Sequence, residues 1–266
     1  QARIRLGAFN FQPVELMKIS LILLYAYYFS RRHLQIKAWS TIIISFLLVV
    51  IPIGIVALQP DLGSALILGA IWFGFLLLSG LPWQRLAIMG AIFIVGLILM
   101  WSFVLKPYHK ERINNVFYPE QHALTFNYNV IQSKIAIGSA GWWGKGYGQG
   151  SQVQAGFLPE AETDFIFAAL VEEWGWVIGV LIVLAFLWLL FEILQVGLSV
   201  DQNVERFICL GTVVMLLVQF FLNIGSVLGI SPVIGVPFPL LSYGGSSLVT
   251  SLLLIGIIHG ISLRSS

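Results

Sequence analysis

Apolar segments long enough to cross a bilayer follow one another along this chain, and they constrain its fold more than any other feature. A transmembrane helix needs about 20 consecutive, mostly apolar residues. Of the 266 residues, 58% are hydrophobic and only 10% are charged, whereas soluble domains carry about 25% charged residues. The sequence therefore predicts an all-α polytopic membrane protein, with 1–266 forming a single integral membrane domain. We predict seven helices, at 13–30, 37–58, 62–80, 83–105, 164–194, 204–228 and 245–263.

The remaining composition excludes several classes of protein. A formal net charge of only +2 gives no reason to expect a nucleic-acid partner. The single cysteine, Cys209, cannot form an internal disulfide and fits no metal-binding pattern, so we expect a small buried residue. The chain starts at Gln1 with neither an initiator Met nor a signal-peptide pattern, so we expect that N-terminal segments precede it.

Lys and Arg in the short loops predict the orientation, because cytoplasmic loops of membrane proteins carry an excess of these residues. One side holds only Arg3 and Arg5 in its short loops. We predict that the richer side is cytoplasmic and that the long loop 106–163 lies outside. The basic residues of the richer side are Arg31, Arg32, Lys37, Arg85, Arg206 and Arg264.

The long loop 106–163 shows signs of internal structure. Loops of more than about 12–15 residues are usually functional or disordered. Apolar residues recur at helical spacing across 129–138, which predicts a short interfacial helix. Five glycines between 141 and 150, together with Trp142, Trp143 and Tyr147, predict a tight-turn region with aromatic side chains at headgroup level.

Three acidic residues within five positions, Glu160, Glu162 and Asp164, lie where this loop meets the fifth apolar segment. A carboxylate at the edge of the hydrocarbon is costly unless it is solvated, paired or used in function. Asp164 is therefore a candidate for proton transfer on an amphiphilic substrate. Its alternative role is that of a helix N-cap, and the residue chemistry favours neither.

Other charged residues near the outer side also have two interpretations. Glu15 and Lys18 are i,i+3 neighbours that either form a structural ion pair or line a polar cavity. Asp61 either caps the third helix or binds a cation or a substrate hydroxyl. Glu172 lies two turns beyond Asp164 and extends its polar face in one interpretation; in the other, one of Glu172 and Glu173 is protonated and structural.

Four cations lie in the outer loop. Arg112, soon after the fourth helix, and Lys134, on the amphipathic stretch, are better placed to meet phosphate at headgroup depth. For Lys110 and Lys145 we expect solvated surface charges.

Five segments in order, each at a junction between helix and loop, resemble the SEDS family of peptidoglycan polymerases (shape, elongation, division and sporulation). Within them, the Gln-Ser-Lys-Ile-Ala-Ile-Gly-Ser stretch at 132–139 is more similar to the elongation members than to the division members. The segments are 11–18, 58–63, 132–139, 158–167 and 239–247.

The resemblance implies a ten-span fold, of which the seven helices here would be the fourth to the tenth. It further implies an inverting glycosyltransferase that polymerises lipid II on the outer face of the bacterial cytoplasmic membrane during cell elongation. Asp164 matches the essential loop aspartate of the family and would be the general base. The predicted substrate-binding residues are Glu15, Lys18, Asp61, Arg112, Lys134, Glu160, Ser242 and Tyr243.

The resemblance also carries expectations about cofactors and partners. A divalent cation, Mg²⁺ or Mn²⁺, is a candidate cofactor, with Asp164 as a candidate ligand. The expected partners are lipid II, membrane lipids and a transpeptidase of the class B penicillin-binding proteins. Two alternatives remain, a flippase for the same lipid-linked precursor and a non-catalytic scaffold for the transpeptidase. The crowding of charges at the outer loop favours the enzyme, because a flippase needs a polar path through the whole membrane.

Overall fold

The computed structural model describes residues 4–6, 9–32, 38–59, 61–99, 102, 110 and 127–265. Two three-residue strands form an antiparallel hairpin in which Ile4 pairs with Phe11. Helices account for most of the remaining described residues. In chain order the elements are β1 (Ile4–Leu6), β2 (Phe9–Phe11), α1 (Pro13–Arg32), α2 (Trp39–Leu58), α3 (Leu62–Leu78), α4 (Trp83–Leu99), α5 (Tyr128–Ser139), α6 (Ser151–Gln154), α7 (Ile166–Ser199), α8 (Asn203–Val227) and α9 (Gly245–Ser265).

Each of the seven predicted helices is present, and most boundaries agree within two residues because apolar runs of this length leave little freedom. The main differences are α7, which ends at Ser199 rather than 194, and the helix predicted at 83–105, whose last residues lie largely outside the described ones. The hairpin was not predicted, since strands of three residues carry too little alternation to recognise.

Several of these helices have the length and composition to cross a membrane, so the protein is a multi-pass membrane protein. The apolar helix α3 has 17 residues and is slightly shorter. The spans identified among the described residues are Trp39–Leu58, Ile166–Ser199, Asn203–Val227 and Gly245–Arg264.

Aromatic packing joins α1, α3 and α8 at the centre of the helix bundle. Phe75 of α3 stacks against Phe29 of α1 and against Phe207 of α8, with ring centroids 5.9 Å apart in both pairs. Stacked aromatic pairs add about 0.5–1.5 kcal/mol each beyond their area burial. The contact at Phe207 fixes the start of α8 beside the end of α1.

Several residues of the predicted basic side lie at one end of this bundle. The guanidinium of Arg85 lies 5.5 Å from the ring centroid of Trp39, which brings the starts of α2 and α4 together. Phe29 and Phe207 are in contact near the end of α1 and the start of α8. Arg206 therefore lies at the same end as Arg31 and Arg32 in the last turn of α1.

Helix α7 is interrupted at Gly175, whose φ of 83° and ψ of 176° are not helical. The loop 141–146 is inserted at the break, where Gly146 N–H donates to the Glu173 carbonyl and Trp176 N–H donates to the Gly141 carbonyl. A Cβ on Gly144 would lie only 2.2 Å from the Glu173 carbonyl oxygen, so this approach requires glycine. The sequence predicted one continuous helix here; the structure divides it in two.

Candidate functional site

Asp164 lies just before α7, half-buried, at the end of the bundle opposite the basic residues. Phe165 occupies the N-cap position of α7, so Asp164 precedes the cap and the N-cap interpretation was wrong. Its carbonyl oxygen accepts a 2.9 Å hydrogen bond from Asn223 Nδ2 of α8, and the same amide donates to the Val236 carbonyl. The backbone of Asp164 is thereby held against α8.

The residues before α7 form a compact turn, 160–165, which we call the acid turn. The amides of Thr163 and Phe165 both donate to the Glu160 carbonyl, at 3.1 and 3.2 Å. Glu160 has a φ of 56°, a conformation that is uncommon for a residue other than glycine. Its side chain is exposed and accepts a 2.7 Å hydrogen bond from Thr163 Oγ1.

The loop 236–243 holds the acid turn from the other side. Ser242 Oγ donates to the Thr163 carbonyl at 2.6 Å and accepts from Phe238 N–H at 2.8 Å. Tyr243 N–H donates to the Glu162 carbonyl, while its side chain is 81% exposed. The two predicted residues from this loop thus lie beside the predicted acid, and substrate contact by them stays a prediction.

Glu15 and Lys18 form an ion pair inside the helix bundle, with Lys18 Nζ 2.7 Å from Glu15 Oε1. Both side chains are buried, and Glu15 Oε2 has no hydrogen-bond partner among the described residues. The predicted i,i+3 pair is therefore confirmed. The orphaned oxygen leaves acceptor capacity that a bound hydroxyl or water would satisfy.

Asp61 is the N-cap of α3, as one of its two interpretations predicted. Its carboxylate accepts from Ser64 N–H at 3.1 Å and from Ser64 Oγ at 3.0 Å. Gln12 Nε2 also donates to it at 3.3 Å, and Gln12 N–H donates to Ser246 Oγ of α9. Gln12, which we had not singled out, therefore ties Asp61 to the helix that follows Tyr243.

Lys134 is exposed on α5, the helix predicted at 129–138. Ser133 Oγ donates to the Val227 carbonyl, which attaches α5 to the end of α8. A Cβ on Gly229 would lie 2.6 Å from Lys134 Nζ, so the ammonium group lies against the turn after α8. Arg112, the other predicted phosphate ligand, is outside the described residues.

Lys145 was expected to be a solvated surface charge, and this was wrong. Its Nζ lies 2.7 Å from Glu172 Oε1, and the Glu172 side chain is fully buried. Glu172 therefore does not extend a polar face from Asp164. Its role is structural, but it acts as an ion-paired carboxylate and not as the protonated acid of the second interpretation. Pairing between residues 27 positions apart has no local sequence signal.

Sequence reasoning also missed Asn223, whose amide orders both Asp164 and the loop 236–243. The sequence does indicate it, because a polar amide within a membrane-length apolar helix needs a hydrogen-bond partner. As for a metal ion, the described residues contain no group of three or more His, Cys, Asp or Glu side chains that would hold one. The arrangement suits general-base chemistry by a half-buried carboxylate on a rigid turn.

The sequence and fold of this chain are similar to those of known proteins. The chain is 39% identical to MrdB, a peptidoglycan glycosyltransferase of Escherichia coli (strain K12). The match spans 257 residues and covers 96% of this chain and 69% of that protein. A solved peptidoglycan synthase complex, described by its coordination of polymerization and crosslinking, contains a similar chain with a TM-score of 0.80. It is 32% identical, and the match covers 100% of this chain and 74% of that one.

The rod shape determining protein RodA of Thermus thermophilus is also similar, with 28% identity and a TM-score of 0.65 over 99% of this chain and 69% of that one. The family model described as a cell cycle protein, covering FtsW, RodA and SpoVE, matches residues 1–266. The chain therefore belongs to the FtsW, RodA and SpoVE family.

Proposed function

We propose that this protein is a peptidoglycan glycosyltransferase that polymerises lipid II into glycan strands during cell elongation. The similarity to a peptidoglycan glycosyltransferase of Escherichia coli supports the activity, and the similarity to RodA supports the elongation role. The observation that carries the proposal is the acid turn. Asn223 and Ser242 hold its backbone from two separate segments, at the carbonyls of Asp164 and Thr163.

The proposed reaction takes place on the outer face of the cytoplasmic membrane of a bacterium. All seven apolar helices would span the membrane, with the loop 106–163 outside. The grouping of Arg85 and Arg206 at the end of the bundle away from Asp164 supports this orientation, because basic residues mark the cytoplasmic side.

In the proposed mechanism Asp164 is the general base. Its carboxylate takes the proton from the 4-hydroxyl of the acceptor sugar as that oxygen attacks the anomeric carbon of the donor sugar. The bond from the anomeric carbon to the pyrophosphate oxygen breaks with inversion, and undecaprenyl pyrophosphate leaves. The exposed side chains of Glu160, within the acid turn, and Tyr243, beside it, would contact the sugars.

The leaving pyrophosphate needs its negative charge balanced. Lys134 and Arg112 are the proposed cations, and the exposure of Lys134 leaves it accessible to a lipid-linked phosphate. Glu15, Lys18 and Asp61 would bind substrate further inside the bundle. Mg²⁺ or Mn²⁺ stays a prediction, and since the described residues form no protein-held metal cluster, we derive no step through a metal.

The proposed partner is a class B penicillin-binding protein that crosslinks the nascent glycan. The similar chain in a complex that coordinates polymerization and crosslinking supports this partner. Membrane lipids would surround the exposed apolar faces of the spans.

The experiment compares the purified protein with its Asp164→Asn variant, each supplied with lipid II and the transpeptidase partner in lipid nanodiscs. Removal of a general base slows catalysis by about 10²–10⁴-fold, so we expect almost no glycan from the variant. Asp201→Asn is the matched control, since Asp201 is exposed beyond the far end of α7. Normal polymerisation by a folded Asp164→Asn protein would contradict the general-base role.

Reconstitution of the same purified proteins into sealed lipid vesicles separates the two alternatives. A flippase would move labelled lipid II across the vesicle membrane without lengthening glycan. A scaffold would do neither, and would instead raise the crosslinking activity of its partner. If the wild-type protein forms glycan and Asp164→Asn does not, neither a flippase nor a scaffold role alone explains the protein.

A further inference from the structure

We propose that Glu172 and Lys145 are positioning residues that hold the acid turn in place relative to α7. Together with the backbone contacts of the loop 141–146 at the break in α7, they form what we call the latch. The inference rests on the proposed role of Asp164 and adds a second pair of residues to the same site. Neither side chain touches the proposed substrate, and both act through the chain that connects them to Asp164.

The Glu172 carboxylate is the centre of the latch. Oε1 accepts from Lys145 Nζ at 2.7 Å, from Gln152 N–H at 3.0 Å and from Ser151 Oγ at 3.2 Å. Oε2 accepts from Val153 N–H at 3.4 Å. The side chain is fully buried, so these contacts replace all of its hydration, and an unpaired carboxylate there would be costly.

Backbone hydrogen bonds place Lys145 at this carboxylate. Lys145 N–H donates to the carbonyl of Glu172 itself at 2.9 Å, and Val177 N–H donates to the Trp142 carbonyl at 3.3 Å. The break at Gly175 exposes these helix groups, and the loop satisfies them. The backbone groups left without helical partners at the break thus bind the loop 141–146.

The latch reaches the acid turn through a short series of contacts. Gln152 and Val153 belong to α6, and the Gln152 carbonyl accepts from Leu158 N–H at 3.0 Å. Leu158 is buried, two residues before Glu160, whose carbonyl accepts from Phe165 N–H. The segment between α6 and α7 is therefore fixed at one end by the latch and at the other by the first turns of α7.

This geometry has a kinetic consequence. A misplacement of about 1 Å at a reacting group can cost about 100-fold in rate. Loss of the latch frees one end of the segment that carries the acid turn while the helices remain packed. We therefore expect Glu172→Ala to lower kcat by about 10- to 100-fold with a much smaller change in KM.

Conservative variants separate charge from hydrogen bonding. Glu172→Gln keeps one acceptor oxygen, for the Gln152 amide, but loses the ion pair and the acceptor for the Val153 amide, so we expect intermediate activity. Lys145→Arg keeps the charge, and we expect it to be closer to the wild type than Lys145→Met. Glu192→Gln is the matched control, because Glu192 is exposed on the same helix and should behave as the wild type.

A disulfide offers a rescue that does not use the carboxylate. An ideal Cβ at Gly150 lies 3.3 Å from Glu173 Cγ, and Gly150 has a φ of −65°. In the Glu172→Ala background, Gly150→Cys with Glu173→Cys would bridge this gap when an added oxidant removes one hydrogen from each thiol. Cys209 is buried and stays apart. We expect the oxidised protein to regain activity and to lose it again on reduction.

Hydrogen exchange tests the latch without any enzymatic activity. In Glu172→Ala, amides of 155–165 should exchange at least tenfold faster than in the wild type, while those of α8 stay protected. A Glu172→Ala protein with wild-type kcat and wild-type exchange would overturn the proposal, as would a cross-linked protein that stays inactive. If instead the proposed function is wrong, the wild type makes no glycan, but the amides of 155–165 still exchange faster in Glu172→Ala.

Discussion

Ser242 Oγ donates a 2.6 Å hydrogen bond to the carbonyl oxygen of Thr163, the residue immediately before Asp164. The two residues are 79 positions apart in the chain. The same hydroxyl accepts from Phe238 N–H, so one buried side chain couples the acid turn to the loop before α9. This long-range contact sets the separation of the two segments, which nothing in the local sequence of either one defines.

Ser242→Ala should therefore impair polymerisation. The change leaves a partly buried carbonyl and a buried amide with less hydrogen bonding, which costs about 1–3 kcal/mol. If about 1.4 kcal/mol of this cost raises the activation barrier through displacement of the acid turn, glycan formation becomes roughly tenfold slower. Ser199→Ala, which removes an exposed hydroxyl, is the control. A Ser242→Ala protein with the wild-type rate would show that this coupling is dispensable.

The buried pair of Glu15 and Lys18 allows stability and activity to be separated. Removing one partner of a buried ion pair costs about 3–5 kcal/mol, because the other charge remains uncompensated. We expect Lys18→Met alone to lower the thermal unfolding midpoint strongly, and Glu15→Gln with Lys18→Met to recover much of it. If the pair binds substrate, the recovered double variant still fails to polymerise lipid II. Full activity of the double variant would leave the pair with a packing role only.

Substitutions of Asp61 distinguish its role as a helix cap from the role of its charge. Asn also caps helices well, whereas Ala costs about 1 kcal/mol at such a position. We therefore expect Asp61→Asn to unfold near the wild-type temperature and Asp61→Ala to unfold several degrees lower. Glycan formation is the second measurement. A stable but inactive Asp61→Asn protein supports substrate binding by the carboxylate, and an active one argues that capping is its whole role.

Gly211 tests the packing of α8 against α3. A Cβ at Gly211 would lie 2.6 Å from two ring carbons of Phe75, whose ring is wedged among the central aromatic residues. Overpacking of this kind costs about 1–3 kcal/mol, so Gly211→Ala should lower the thermal unfolding midpoint. Gly256→Ala on α9 meets no atom within 4 Å and serves as the control. Equal midpoints for the two variants would contradict the close approach of α3 and α8.

The helices were predictable because their signal is local. A run of about 20 apolar residues has few alternatives to a helix in a membrane protein. The ion pair of Glu15 with Lys18 and the cap at Asp61 were also predictable, since each depends on residues three positions apart on one helix. Asp164 was identified as a candidate by its place at a helix mouth and by the family resemblance.

The latch was not predictable for the opposite reason. Glycine inside a helical pattern usually means only a modest loss of stability, so Gly175 gave no sign of a complete break. Lys145 and Glu172 are each ordinary in their local context. Their pairing exists because the loop 141–146 satisfies backbone groups that the break exposes, and such long-range satisfaction leaves no periodic pattern in the sequence.

The amino-acid sequence by itself determined where the helices run and which short-range polar contacts form, because hydrophobic length and i,i+3 spacing act within a few turns of one helix. Only the tertiary structure decided that Asn223, Ser242 and the latch converge on the turn before α7. Those contacts join distant segments, and they form where packing of the helices leaves buried polar groups that must find partners.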